Sequence, residues 1–186
     1  DIMIDPIEIE DHWPRIAAID FGWDHPTAMV WCAVDNESET FYIYDCYRAS
    51  KASPAVHATN IKTRPHFIPI AYPHDGNRRD SMGNPGLADQ YRNLGCNFML
   101  QHFTNPPALG TDKGSNSIEE GLMAMLQKVE AGKFKVFNTL GDWFEEFRMY
   151  HRKDGKVVPL RDDLMSATRY AFQSQRFAIA GEDPSW

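Results

Sequence analysis

The sequence predicts an α/β domain built on a mixed sheet, with three antiparallel strands first, parallel strands after them, and helices on the flanks. Three observations carry this. Strand-like apolar runs recur three times between Arg15 and Tyr47, joined by connections too short to hold a crossover helix. From Ala52 onward, helical patterns alternate with short apolar runs, the order that parallel strands with crossover helices produce. Finally, 186 residues with 42% hydrophobic and 24% charged side chains suit one globular domain able to bury a real core.

The elements follow in order. Residues 1–14 are acidic, contain Pro6 and Pro14, and read as an arm from something upstream; the domain proper covers 15–180, and 181–186 is a tail. Strands are expected at 15–21 (RIAAIDF), 27–34 (TAMVWCAV) and 40–47 (TFYIYDCY), with a turn at DNES. A helix over 52–64 stops at Pro65, and a short strand over 67–71 contains Pro69, which fits an edge or irregular position. The Gly-, Asn- and Asp-rich stretch 75–86 is loop. A helix at 87–94, a strand at 97–101 and a loop at 105–114 come next. Residues 117–131 place Ile118, Leu122, Met125, Leu126 and Val129 three and four apart, with Ser117 and Glu120 as a capping box and Gly132 beyond the end. A strand at 134–137, a helix at 140–150, a hairpin-like turn at RKDGK and a last helix over 161–177 complete the chain.

Charge and cysteine usage narrow the function classes. A net charge of −7 argues against a protein that holds nucleic acid by itself on a wide basic surface, and predicts weak, salt-sensitive DNA binding in isolation. Cys32, Cys46 and Cys96 are an odd number without paired spacing, and read as buried reduced thiols rather than a zinc site. No apolar run approaches the ~20 residues of a membrane span, and the first residues lack the pattern of a secretion signal, so a soluble, non-secreted protein is expected.

Three acidic positions stand out by where they fall. Asp20 interrupts the first apolar strand, Asp75 follows the short strand FIPIAYPH, and Asp162 and Asp163 open the last helix. They are too far apart in sequence for a local motif, so only the fold can gather them. Carboxylates meeting at one point repel unless cations neutralise them, and oxygen ligands without His or Cys companions suit Mg²⁺ or Mn²⁺. Two such ions about 4 Å apart can activate a water and steady a leaving oxygen in phosphodiester hydrolysis. Each residue also has a plainer reading: Asp20 bonded to a neighbouring turn, Asp75 as a turn residue before Gly76, and either helix aspartate as an N-cap.

The segments IDFGWDHPTA, IPIAYPHDG, GSNSIEEGLMAMLQKVEAGKFKVFN and LRDDLMSATRYAF resemble the nuclease domain of phage terminase large subunits, from about Arg15 to Phe177. The resemblance implies a ribonuclease H-like fold and a headful-type endonuclease that cuts concatemeric viral DNA during packaging with two divalent ions, Mg²⁺ or Mn²⁺. It assigns Asp20 as the carboxylate bridging both metals, Asp75 as the second ligand and the DD pair as the third. Asp162 is favoured there because the family's carboxylate lies at the first helical position, with Asp163 close behind. Met165 and Ser166 stand where relatives often carry further acidic residues. The implied partners are double-stranded DNA, an ATPase motor in the same subunit, the terminase small subunit and the portal protein. The implied setting is the host cytoplasm, with no membrane and a monomeric isolated domain. No G-x-x-x-x-G-K-[ST] loop occurs, so ATP hydrolysis is not expected of this chain.

Other residues are open between function and plain surface. Asp24 and His25 could line the metal site or close a turn at Pro26, and His74 could orient Asp75. Arg78, Arg79 and Lys113, on the two long loops, are candidate DNA phosphate contacts. Trp13, Trp23, Trp31 and Trp143 read as core and interface aromatics, and His151, Arg152 and Lys153 as a basic turn. Rival functions are a resolvase-like nuclease of the same fold outside packaging and a non-catalytic docking module for portal or capsid. An actin-like phosphotransferase is excluded by the short chain.

Overall fold

Both faces of the central strands are covered, which is why they read as nearly unbroken apolar runs. The computed structural model describes residues 1–79, 81–150 and 162–181, with the backbone of 152–153 and 156–157. The main sheet has six strands: β1 (Met3–Ile4), β2 (Arg15–Asp20), β3 (Thr27–Asp35), β4 (Thr40–Ala49), β5 (Ile70–Ala71) and β6 (Phe134–Phe137), in the order β1-β6-β4-β3-β2-β5. β2, β3 and β4 form an antiparallel meander, while β5 joins β2, and β6 joins both β4 and β1, in parallel. The predicted mixed sheet is therefore present.

Strand alternation sorts the core into two layers. Ile16 and Ala18 of β2, with Val30 and Cys32 of β3, face a layer containing α4 (Gly141–Met149) and α5 (Asp163–Gln173). Ala17 and Ile19, with Met29 and Trp31, face the opposite layer, with α1 (Pro54–Ile61) and α2 (Leu87–Asn93). Asp20 continues the Ile16–Ala18 side, so alternation alone turns it toward α5.

Several expectations need correction. Residues 97–101 form no strand; Phe98 makes a single parallel bridge to Ile70, because the backbone leaves the sheet after one pairing. The 67–71 strand shrinks to Ile70–Ala71 at the edge of the sheet, where Pro69 still accepts from the Ala17 amide. Residues 1–14, expected as an arm, lie against the sheet: Met3–Ile4 pair with Val136–Phe137, and Trp13 stacks on Tyr42 at 5.2 Å. Trp23, expected as a core or interface aromatic, is not in the core: it is 57% exposed on the β2–β3 loop. The last helix begins at Asp163; Asp162 is its N-cap, with φ −112° and ψ 17°, and Gln175–Phe177 form a separate 3-10 turn. Arg161 and His151 lie outside the described residues, as do the side chains of Arg152 and Lys153.

Other elements keep their expected character. α3 (Ile118–Glu130) is capped by Ser117, whose side chain accepts from the Glu120 amide. Its apolar stripe is only partly covered, leaving Ile118 and Leu126 about half exposed. The RKDGK segment pairs β7 (Arg152–Lys153) with β8 (Lys156–Val157) antiparallel. Cys32 and Cys96 are buried and Cys46 half-buried, all as thiols. No helix among the described residues is long and apolar enough to cross a membrane.

α5 is fixed against the sheet by small residues and two polar anchors. Leu164, Ala167, Ala171 and Phe172 form its buried stripe, and Thr168 accepts from the Trp143 indole at 2.9 Å. No side chain of α5's own caps its first turn. Glu146, fully buried on α4, does so from outside: its Oε2 accepts from the Leu164 amide at 2.7 Å and the Met165 amide at 3.3 Å, and its Oε1 from Arg48 at 3.0 Å. Removing this carboxylate in Glu146→Ala orphans two buried donors. It should cost on the order of 3 kcal/mol in urea unfolding. Glu146→Gln keeps an acceptor and should lose clearly less; equal losses in both variants would contradict the capping role.

Candidate metal and nuclease site

Three backbone features converge where β2 ends. In the parallel register Ala18 lies beside Ala71, so the C-terminal ends of β2 and β5 are adjacent, and the 3-10 turn His74–Asn77 follows directly. That turn carries Asp75. The N-terminus of α5 brings Asp162 and Asp163 to the same end. The loop between β2 and β3 folds back on itself: Thr27 Oγ1 donates to the Gly22 carbonyl at 2.9 Å and accepts from the Gly22 amide at 3.1 Å. A Cβ on Gly22 would lie 2.3 Å from the His25 carbonyl and 2.6 Å from His25 Nδ1, so only glycine permits this closure. The closure delivers His25, whose Nδ1 lies 3.0 Å from Asp163 Oδ1.

The four aspartates therefore share one neighbourhood and differ in setting. Asp163 is 6% exposed, Asp20 and Asp162 are half-buried, and Asp75 is exposed. Burial, with Asp163, Asp162 and Asp75 adding to it in that order against a smaller pull from His25, pushes the Asp20 carboxyl up to about 7. Burial also lifts Asp162, with Asp163 adding to the effect and His25 and Arg169 opposing it. The Tyr170 hydroxyl lies 3.5 Å from Asp20 Oδ1, and burial, reinforced by Asp20, raises its ionisation well above the usual range. The carboxylates thus burden one another, the condition that a bound cation relieves. Among the described residues no three such side chains are arranged to hold an ion as they stand, so ligation requires side chains to shift.

The remaining candidates are less closely gathered. Arg78 and Arg79 are exposed in the segment just after Asp75, and the Arg78 amide donates to the Asp75 carbonyl at 3.1 Å. Lys113 is exposed on the 105–117 loop, and no ion pair among the described residues joins any of the three to a carboxylate. Asp24 is exposed, and His74 is exposed beside Asp75.

Sequence reasoning overlooked Glu146, Arg48, Arg169 and Tyr170. A signal existed for the last two: Tyr170 is seven residues after Asp163 and Arg169 seven after Asp162, so each shares a helix face with its aspartate. No local signal distinguishes Glu146 from Glu145.

The raised Asp20 value fixes a sign for stability. In the metal-free chain the folded carboxyl, near 7, binds its proton more tightly than the unfolded one, near 3.8. Its contribution is fully present below the unfolded value and is lost as pH rises through about 7. Burial also drives Glu146 up to about 7, against Arg48 and its two backbone donors, so it adds a slope of the same sign. The urea midpoint in EDTA should fall between pH 4 and 7, and Asp20→Asn should flatten that fall. A wild-type slope unchanged in the variant would remove Asp20 as a source.

Comparison with known proteins agrees with this fold. The terminase RNaseH-like domain family matches residues 17–175. The large terminase subunit of Salmonella phage P22 is 37% identical over 178 residues, which is 95% of this chain and 34% of that protein. The chain thus spans about a third of that relative's length. The solved nuclease domain of P22 large terminase superposes with a TM-score of 0.85 at 36% identity, covering 96% of this chain and 90% of that one. The nuclease domain of large terminase from bacteriophage SPP1, solved with bound Mn, shares the fold at a TM-score of 0.63 and 17% identity, over 91% and 93% of the two chains. The chain belongs to the terminase family and corresponds to the ribonuclease H-like nuclease domain of the large subunit.

Proposed function

We propose that this domain is a Mg²⁺- or Mn²⁺-dependent endonuclease that cuts concatemeric double-stranded viral DNA during packaging, in the host cytoplasm. The observation that carries the reading is the gathering of Asp75, Asp162 and Asp163, from two further segments of the chain, around the half-buried Asp20 carboxyl. The all-oxygen donor set suits hard divalent ions, and the mutual repulsion at Asp20 is what such ions would offset. Manganese in the SPP1 nuclease domain supports the same metal class. When bound, two ions would supply an activated water and stabilise the leaving oxygen.

The chain's own residues do the rest. Asp20 is the central ligand, and Asp75 closes onto it from the exposed turn. We assign the third ligand to Asp163 rather than Asp162. Asp163 occupies the first helical position, is the more buried of the two, and is the largest carboxylate influence on Asp20. His25 orients Asp163 through its 3.0 Å hydrogen bond. Arg78, Arg79 and Lys113 contact the DNA backbone from their loops. The motor of the same subunit, the small subunit and the portal protein bring DNA to a domain whose net charge of −7 gives it little hold of its own.

Plasmid cleavage by the purified chain in EDTA, Mg²⁺ and Mn²⁺ at low salt tests this. Cutting should require metal and fall at least 100-fold in Asp20→Asn and Asp163→Asn, with a smaller loss in Asp162→Asn. Full activity in Asp20→Asn would refute the site, and the reverse order of the two helix variants would return the third ligand to Asp162.

A further inference from the structure

We propose that the recess beside the carboxylates, built around Arg169, is a phosphate subsite for the DNA strand, taking a backbone phosphate next to the one attacked. This rests on the nuclease reading above. The recess, of about 200 Å³, is lined by His74, Phe103, Asn116, Ile118, Arg169 and Tyr170.

Arg169 is the reason to look there. It is 7% exposed, and its Nη1 is buried with no hydrogen-bond partner among the described residues. None of the ion pairs among those residues involves it. A buried guanidinium normally finds a carboxylate, because removing the charge from water is costly. Asp162 feels its charge without pairing with it, and the guanidinium packs on aromatic faces: its Cζ lies 4.9 Å from the Tyr170 ring centroid and 5.6 Å from that of Phe103. These hold the cation without using its donors.

The chain is shaped to admit this side chain. A Cβ on Gly121 of α3 would lie 2.7 Å from Arg169 Cγ and 2.9 Å from Cδ, so the glycine makes room for the stem. The facing wall is held in place as well. Buried Asn105 accepts from Gln173 and donates to Ser115 Oγ at 3.0 Å and the Ser117 carbonyl at 2.9 Å. That staple fixes the loop end bearing Asn116.

The chemistry selects an anion. Arg169 offers only donors, in the planar fork that suits phosphate oxygens, and Asn116 can add an amide donor. The start of α3 at Ile118 places the positive end of a helix on the same wall. The recess is also contiguous with the carboxylates. His74 precedes Asp75, and Tyr170 reaches Asp20 at 3.5 Å, so a strand running across the carboxylates passes its mouth. Filled by a backbone phosphate, the subsite would set the strand's register for cutting.

Two measurements test it. In EDTA, inorganic phosphate should shift the Arg169 side-chain N–H resonance saturably, beyond chloride at equal ionic strength, identified by its loss in Arg169→Lys. Asn116→Asp, an exposed change that puts a carboxylate at the mouth, should abolish the shift without lowering the unfolding temperature. In Mn²⁺-supported cleavage, Asn116→Asp and Arg169→Lys should lose activity mainly through KM, which rises about tenfold, whereas Asp20→Asn loses kcat. No phosphate shift, or wild-type KM for both variants, overturns the subsite. A wild-type chain that binds phosphate at Arg169 but cuts DNA in neither Mg²⁺ nor Mn²⁺ retains the anion site and sinks the nuclease reading instead.

Discussion

The first turn of α5 has no cap of its own, and its amides would be buried donors without acceptors if Glu146 did not reach across from α4. That carboxylate, held in turn by Arg48 of β4, ties three elements together at one point. The result is positional. Asp163 sits one residue before the first amide that Glu146 accepts, so the clamp that satisfies the helix also sets where the acidic pair stands above the end of β2. A helix N-terminus tolerates aspartates through its dipole. Here the same dipole must also serve a buried glutamate, which concentrates negative charge at this end of the sheet.

That concentration explains why Asp20 is so perturbed. β2 is buried on both faces, and alternation turns Asp20 toward α5 rather than toward water. Its neighbours on that side are the helix aspartates, and the turn after β5 adds Asp75. The fold accepts this repulsion at its centre and offsets it by packing around it: Trp143 bonded to Thr168, Phe41 against Phe172 at 5.1 Å, and the small residues of α5 that let the helix lie close to the sheet. Stability supplied by the two apolar layers holds carboxylates together that would otherwise separate.

Much of this was legible in the sequence. The mixed sheet followed from the meander and the alternation of elements after it, and Asp20 was conspicuous as a charge inside an apolar strand. What was not legible depended on exits from the sheet. Residues 97–101 have a strand's composition, yet the backbone pairs once and leaves. The arm over 1–14 has a linker's prolines, yet Met3 and Ile4 find an open edge at β6. The choice between Asp162 and Asp163 turned on a boundary of one residue, the least certain quantity in any helix reading; φ and ψ at Asp162 put the helix start at Asp163, which is what the proposed assignment rests on. Glu146 could not be distinguished from Glu145 because its task is set by a helix that follows it in the chain.

The domain's acidity fits this arrangement. With a net charge of −7, the surface as a whole repels DNA, and the exposed arginines of the 75–86 loop offset it only locally. An anionic strand can approach the carboxylates only when cations occupy them, so on the proposed reading the ions that perform the chemistry also decide whether substrate binds. A second, permanent cation beside them changes that balance. Arg169 carries its charge whether or not metal is present, and its aromatic packing leaves the donors unused. A strand could then be held in register at the recess before the carboxylates become hospitable to it. On the proposed function, cutting would then require both a delivered strand and a loaded site.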